Sequence, residues 1–302
     1  MPPNLLSPIT NLPAAPHPYL IAEIGCNHKG DMAIAKEMID VAALFCKVDA
    51  VKFQKRNPKE LLTPEQYNAP HPNPTNAYGE TYGAHREALE FTLDQHRKLK
   101  VHCEERGITY STSVWDMTSA QQIASLKPAF IKIPSATNLN MDILDYLCGE
   151  YEGEIQLSVG MTTHQEEEAI VDHFRQHSRA KDLTLFSCTS GYPVAFEEIC
   201  LLELARLRDK FGSTVKRIGF SGHHLGIAAD IAALALGAEV FERHFTLDRT
   251  WKGTDHAASL EPDGMRRLAR DTRNVVMALT YKREEILPIE AVQREKLKYR
   301  KA

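Results

Sequence analysis

From Tyr19 to the last helix the chain alternates short apolar runs with helical stretches, and this alternation limits the fold more than any other feature. Eight runs read as strands: YLIAEIG (19–25), DAVKFQK (49–55), ITYSTS (108–113), FIKIPS (130–135), EIQLSVG (154–160), LTLFSCTS (183–190), KRIGFSGH (216–223) and EVFERHFT (239–246). Helical periodicity fills most of the spacing, over 31–47, 94–106, 119–127, 141–148, 165–177, 196–210, 225–236 and 263–279, with Asp31 a candidate cap and Gly107 a suitable helix stop. Eight β/α units predict a (β/α)8 TIM barrel. A doubly wound sheet is the competitor, but no glycine fingerprint follows the first strand. The barrel is expected over residues 19–285, after a Pro- and Asn-rich arm at 1–18 and before a basic tail at 286–302. One segment, 56–91, has no clear period; a stretch of that length in a compact domain reads as a functional loop or lid.

Composition removes several classes of function. The formal charge is −4, and no basic run precedes the short C-terminal REKLKYRKA, so nucleic acid is not an expected partner. No window of 18 apolar residues exists and no signal peptide is evident, so neither a membrane span nor secretion is expected. The six cysteines form no CxxC and mostly sit in apolar runs. They read as buried thiols of a reducing compartment, with the cytoplasm the default.

In such a barrel the chemistry gathers at the C-terminal ends of the strands. Here those ends carry Glu23; Lys52 and Gln54; Thr112; Lys132 and Ser135; Ser190 and Tyr192; Ser221 and His223; and His244. Lys52 and Lys132 each interrupt an apolar strand. Buried ammoniums need anionic partners, so either each pairs with a structural carboxylate or both converge on a doubly charged ligand such as phosphate. Hydroxyls of Thr112, Ser135, Ser190 and Ser221 would then join them. His223 and His244, on neighbouring strand ends, suit a shared divalent ion of the Mn²⁺, Co²⁺ or Zn²⁺ kind, or Mg²⁺ with waters; a satisfied core histidine is the plainer alternative. Glu23 is placed to add an oxygen or act as acid/base. His224 reads as a helix-entry residue, and Asp255 lies on a loop able to cover the mouth.

A set of ordered segments carries a family resemblance: IAEIGCNHKGD, VKFQK, ETYGAHREALEF, IKIPSATN, SVGM, CTSGYP, GFSGHHLGIA, GAEVFERHFTLDRTWKGTDHAASLEP and ILPIE. Together they resemble the sialic acid synthases, the animal-type enzyme above all, which condense phosphoenolpyruvate with an open-chain sugar aldehyde. The resemblance implies that Lys52, Thr112, Lys132, Ser135, Ser190 and Ser221 hold phosphoenolpyruvate. It places the metal on His223 and His244, with Mn²⁺ the expected ion, the essential carboxylate at Glu23, and the sugar against Gln54, Tyr192 and Asp255. It also implies a homo-oligomer, a dimer by expectation.

The sequence departs from that family in three places. The family's small C-terminal antifreeze-like domain, which sends an arginine to the partner's sugar site, would begin where this chain stops, at Ala302, and is expected to be absent. Thr137 stands where relatives commonly carry Asp or Glu. Pro134-Ser135-Ala136 replaces a Gly-Ser-Gly pattern. The expected reaction therefore keeps phosphoenolpyruvate and leaves the aldose open: N-acetylmannosamine, mannose or a related sugar. A sugar- or phosphoenolpyruvate-binding sensor without catalysis is the alternative. A metal hydrolase on the same barrel would carry HxH after the first strand, where this chain reads EIGCNH.

Overall fold

A computed structural model describes residues 17–299. Eight parallel strands pair in chain order and close, the last beside the first. They are β1 (Tyr19–Gly25), β2 (Ala50–Lys55), β3 (Thr109–Val114), β4 (Phe130–Ile133), β5 (Glu154–Ser158), β6 (Leu183–Cys188), β7 (Arg217–Gly222) and β8 (Val240–His244). The barrel expected from the alternation is the observed fold. The strands end one or two residues earlier than the apolar runs suggest at β4 to β8, because the residues beyond turn out of the ladder into the mouth loops.

The helices are α1 (Met32–Asp40), α2 (Pro58–Leu61), α3 (Pro64–Asn68), α4 (Tyr82–Leu89), α5 (Leu93–Arg106), α6 (Met117–Ser125), α7 (Met141–Glu150), α8 (His164–Gln176), α9 (Leu202–Phe211), α10 (Ala228–Ala235), α11 (Pro262–Ala278) and α12 (Pro288–Leu297). Asp31 caps α1, accepting from Ala33 N and Ile34 N, as the sequence suggests. Gly107 ends α5 with φ +67°, a left-handed position where a Cβ would be strained. The aperiodic segment 56–91 folds into α2, α3 and α4 with a 3₁₀ turn between α3 and α4. The arm expected at 1–18 lies, up to residue 16, outside the described residues, as do 300–302. The tail carries α12. Among the described residues no helix is long and apolar enough to cross a membrane.

Period-two alternation sorts each strand into two environments. Outward residues such as Leu20, Ala22, Ile24, Val51 and Phe53 join the large apolar layer under the helices. Inward residues Ile21, Ala50, Phe130, Phe186 and Val240 form a small apolar plug inside the barrel. One strand step above the plug the inward residues become charged: Glu23, Lys52, Lys132 and Glu242, all buried.

A second buried charge cluster lies outside the barrel wall. Arg243, pointing outward from β8, pairs with Asp230 of α10 and donates to the His224 carbonyl at 2.5 Å and the Gly226 carbonyl at 2.9 Å. His224 Nε2 lies 3.2 Å from Asp230 Oδ2. All three side chains are fully buried, so His224 belongs to this clamp and not to the mouth. Removing one partner of such a pair leaves an uncompensated buried charge. Asp230→Ala is expected to cost about 3–5 kcal/mol, read as a lowered urea midpoint with unchanged slope.

Candidate active site

The register of the barrel assembles the mouth. Glu23 pairs across to Lys52 on one side and His244 on the other, Ser113 to Lys132, and Ser221 to Glu242. A cavity of about 300 Å³ opens there, lined among others by Glu23, Lys52, Lys132, Ser221, His223 and His244. Ser135 and Ser190 stand on its rim with Gln54 and Tyr192. At Gly160 an added Cβ would lie 2.6 Å from both serine hydroxyls, so a side chain after β5 would push both from their places.

The floor is a lattice of alternating charges. Lys52 Nζ makes a close ion pair with Glu23, donates to Ser113 Oγ at 2.6 Å, and lies 3.6 Å from Glu242 Oε2. Lys132 Nζ lies 3.4 Å from the same Glu242 oxygen and 3.4 Å from the Phe186 ring centroid, with no hydrogen-bond partner. Ser221 Oγ donates to Glu242 Oε1 at 2.9 Å, and Gln54 Nε2 donates to Glu23 Oε1 at 3.3 Å. Of the two readings of the lysines, the carboxylate pairing is present; the convergence on one cavity is present as well.

Burial and neighbours divide the protons unequally. Burial raises the Glu23 carboxyl above its ordinary value, the Glu242 charge adds to this, and Lys52 opposes it. Burial also works on Glu242, but Lys132 and Lys52 outweigh it and hold that carboxylate well below the usual range. Lys52 is desolvated too, yet Glu23 and Glu242 raise it. Lys132 falls to about 8, by burial first and then by repulsion from Lys52, with Glu242 holding it up.

The two imidazoles lie side by side, ring centroids 5.4 Å apart, with the Tyr192 ring edge-on to both. His223 Nδ1 is 3.1 Å from the Thr189 carbonyl; donating there leaves its Nε2 lone pair free. Burial, then His244, lowers His223 to about 3, so the ring is neutral. His244 Nδ1 is buried with no hydrogen-bond partner. Two under-partnered imidazole nitrogens beside carboxylates fit a borderline divalent cation.

A second chamber of about 610 Å³ opens outward from the first; Gln54, Tyr192 and His244 line both. Its walls include Arg56, Arg86 and Asp255. The segment 56–91 forms one side and is tied down: Arg56 Nε donates to Glu90 at 2.6 Å, and Tyr78 donates to the Lys252 carbonyl at 2.5 Å. Asp255 thus stands with the outer chamber, not the charged floor.

One expected residue is elsewhere. Thr112 faces outward from β3 and donates to Tyr110 Oη at 2.7 Å, fully buried against the helices. Parity gives its place at the mouth to Ser113. Glu242 is the residue that sequence reasoning passed over. It lies two positions before His244 on β8, so the same alternation that brings in the histidine brings in the carboxylate.

A closed (β/α)8 barrel with a charged lattice, hydroxyls and paired imidazoles at its C-terminal mouth is a barrel enzyme built for an anionic small molecule. The family profile described as the NeuB family matches residues 38–284. The chain is 36% identical to human N-acetylneuraminate-9-phosphate synthase over 282 residues, 93% of this chain and 77% of the relative. It is 35% identical to N,N'-diacetyllegionaminic acid synthase of Campylobacter jejuni, over 86% of this chain and 77% of that one. The crystal structure of N-acetylneuraminic acid (sialic acid) synthetase from Leptospira borgpetersenii, in complex with citrate, superposes with a TM-score of 0.78 at 27% identity, covering 94% of both chains. The chain belongs to the NeuB family.

The lattice makes a physical prediction of its own. Glu242→Gln removes the charge that supports Lys132, so the Lys132 titration, followed by ¹³C NMR at Cε, is expected to move from about 8 to a lower value.

Proposed function

We propose that this enzyme condenses phosphoenolpyruvate with an open-chain aldose, N-acetylmannosamine or a close relative, to give a 3-deoxy-2-keto sugar acid and phosphate. The observation that carries the reading is the buried lattice of Lys52, Lys132, Glu23 and Glu242 directly beneath the His223–His244 pair, in a member of this family. Lys52 and Lys132 hold the phosphate and carboxylate of phosphoenolpyruvate, with hydroxyls from Ser113, Ser135, Ser190 and Ser221. Fixing both ends of the nucleophile turns a two-substrate encounter into a positioned one. The sugar occupies the outer chamber against Gln54, Tyr192 and Asp255.

In the reaction, C3 of phosphoenolpyruvate forms a bond to the aldehyde carbon, water adds at C2, and the C2–O bond to phosphate breaks. Glu23 takes the proton of the attacking water; its raised carboxyl suits a group that gains and returns a proton. His223 and His244 hold a divalent ion, Mn²⁺ in our reading, which when bound polarises the aldehyde oxygen and adds positive charge where two ammoniums otherwise face two carboxylates. Tyr192, edge-on to both rings, helps hold the orientation of the imidazoles.

The direct test is phosphate release from phosphoenolpyruvate with Mn²⁺ across N-acetylmannosamine, its 6-phosphate, mannose and shorter aldoses. Release that depends on one sugar is expected, lost on chelation and restored by Mn²⁺ or Co²⁺. No release with any sugar, together with retained phosphoenolpyruvate binding, would mark a sensor. Lys132→Ala is expected to raise the KM for phosphoenolpyruvate about 10–100-fold, the ~1.5–3 kcal/mol of a charged hydrogen bond, with little change for the sugar. Ser113→Ala is expected to raise the same KM about 5-fold, for one neutral hydrogen bond, while Thr112→Val leaves it unchanged. Lys132 is charged only below its pKa, so kcat/KM for phosphoenolpyruvate falls as pH rises through about 8.

A further inference from the structure

Away from the mouth, two neighbouring helices bring four metal-ligating side chains together. Asp145 and Cys148 stand one turn apart on α7, and His173 and His177 one turn apart at the end of α8, so each pair shares a helix face. One ligand atom each from Cys148, His173 and His177 all lie within 4.8 Å of one another. Asp145 Oδ1 lies 3.2 Å from His173 Nε2 and 3.4 Å from His177 Nε2. Cys148 and both histidines stand toward the C-terminal ends of α7 and α8, helices that run antiparallel to the strands. They therefore meet at the end of the barrel opposite the active site.

We propose that Asp145, Cys148, His173 and His177 form a structural site for a Zn²⁺-class cation that clips α7 to α8. Zinc binds thiolate sulfur at ~2.3 Å and imidazole nitrogen at ~2.0–2.1 Å, so a tetrahedral set needs donors roughly 3.3–3.8 Å apart. The aspartate–histidine spacings are already of that size, and the thiolate, within 4.8 Å of a nitrogen of each histidine, must move closer to complete the set. His173 Nε2 is buried and, despite its nearness to Asp145, has no hydrogen-bond partner. His177 Nδ1 is 3.0 Å from the His173 carbonyl; donating there leaves Nε2 for the ion, the second-shell arrangement usual for metal-bound histidine. The rings are 4.5 Å apart. Thiolate with imidazole selects Zn²⁺ over Mg²⁺ or Ca²⁺, and helix C-termini favour a cation.

A neighbouring positive charge, Arg179, is engaged elsewhere. It donates to the carbonyls of Cys148, Tyr151 and Gly153 and pairs with Asp182 at 2.6 Å. Burial keeps the free Cys148 thiol protonated, so uptake of the ion releases that proton. The competing account is that the two histidines merely pair with an exposed aspartate, an arrangement worth little.

The test is titration of the metal-stripped protein with Co²⁺, then Zn²⁺, with absorbance as the readout. A thiolate-to-Co²⁺ charge-transfer band and intense tetrahedral bands are expected at one equivalent, displaced by Zn²⁺. The Cys188 sulfur lies 4.0 Å from His223 Nδ1, so a cobalt ion at the mouth could also show a thiolate band. The titration is therefore repeated in His223→Ala/His244→Ala. The proposal requires the band to persist there and to be lost in Cys148→Ser and in His173→Ala/His177→Ala. Circular dichroism checks that the variants are folded. Zn²⁺ should also raise the Tm of the wild type, and that shift should vanish in His173→Ala/His177→Ala. No thiolate band, a band that survives Cys148→Ser, or one lost only in His223→Ala/His244→Ala would overturn it.

Discussion

The structure depends on a buried lattice in which two ammoniums and two carboxylates alternate across four strands. Lys52 sits between Glu23 and Glu242, and Glu242 between Lys52 and Lys132. Each of these charges alone would cost several kcal/mol to bury. Held together, they fix one another's protonation and leave Lys132 Nζ, unsatisfied by any hydrogen bond, facing the cavity. In the proposed reaction that residual demand is what an anionic substrate meets. A core of Leu and Val at the same four positions would cost less to fold and would leave no charge for an anion.

Strand β8 shows how stability and chemistry share one element. Glu242 and His244 point in and belong to the mouth. Arg243 between them points out, and its pair with Asp230 and its bonds to the backbone around His224 pin β8 against α10. The imidazole of His244 is therefore carried on a strand locked from its far side. The two faces do not exchange roles, because a one-residue slip would put an arginine in the cavity and a carboxylate under the helices.

Much of this was legible in the residues. The β/α alternation sufficed for the barrel, and the polar strand ends Glu23, Lys52, Lys132, Ser221, His223 and His244 do line one cavity. The sequence reading went astray where a single position decides the face. Thr112 and Ser113 are both small hydroxyl residues at the end of β3, and only the closed register, Ser113 beside Lys132, selects the second. Glu242 was legible in principle, by parity with His244, but a glutamate inside an apolar run reads as easily as a solvent-side residue. Segment 56–91, which reads as a functional loop or lid, forms one side of the outer chamber, but its shape was not legible, since its helices are too short to show a period and the stretches between them are held by Arg56 to Glu90 and by Tyr78 and Asn76 to the loop at 252–253.

The sequence by itself determined the local things: which runs extend, which coil, where Asp31 caps and Gly107 stops a helix, and which strand ends carry polar groups. These follow from periodicity and from backbone chemistry that acts over a few residues. Only the tertiary structure decided who meets whom. Closing the barrel brings Glu23 of the first strand beside His244 of the last, and packing α7 on α8 sets Cys148 against His173 and His177. Such encounters join residues far apart in the chain, and no short-range pattern encodes their distance.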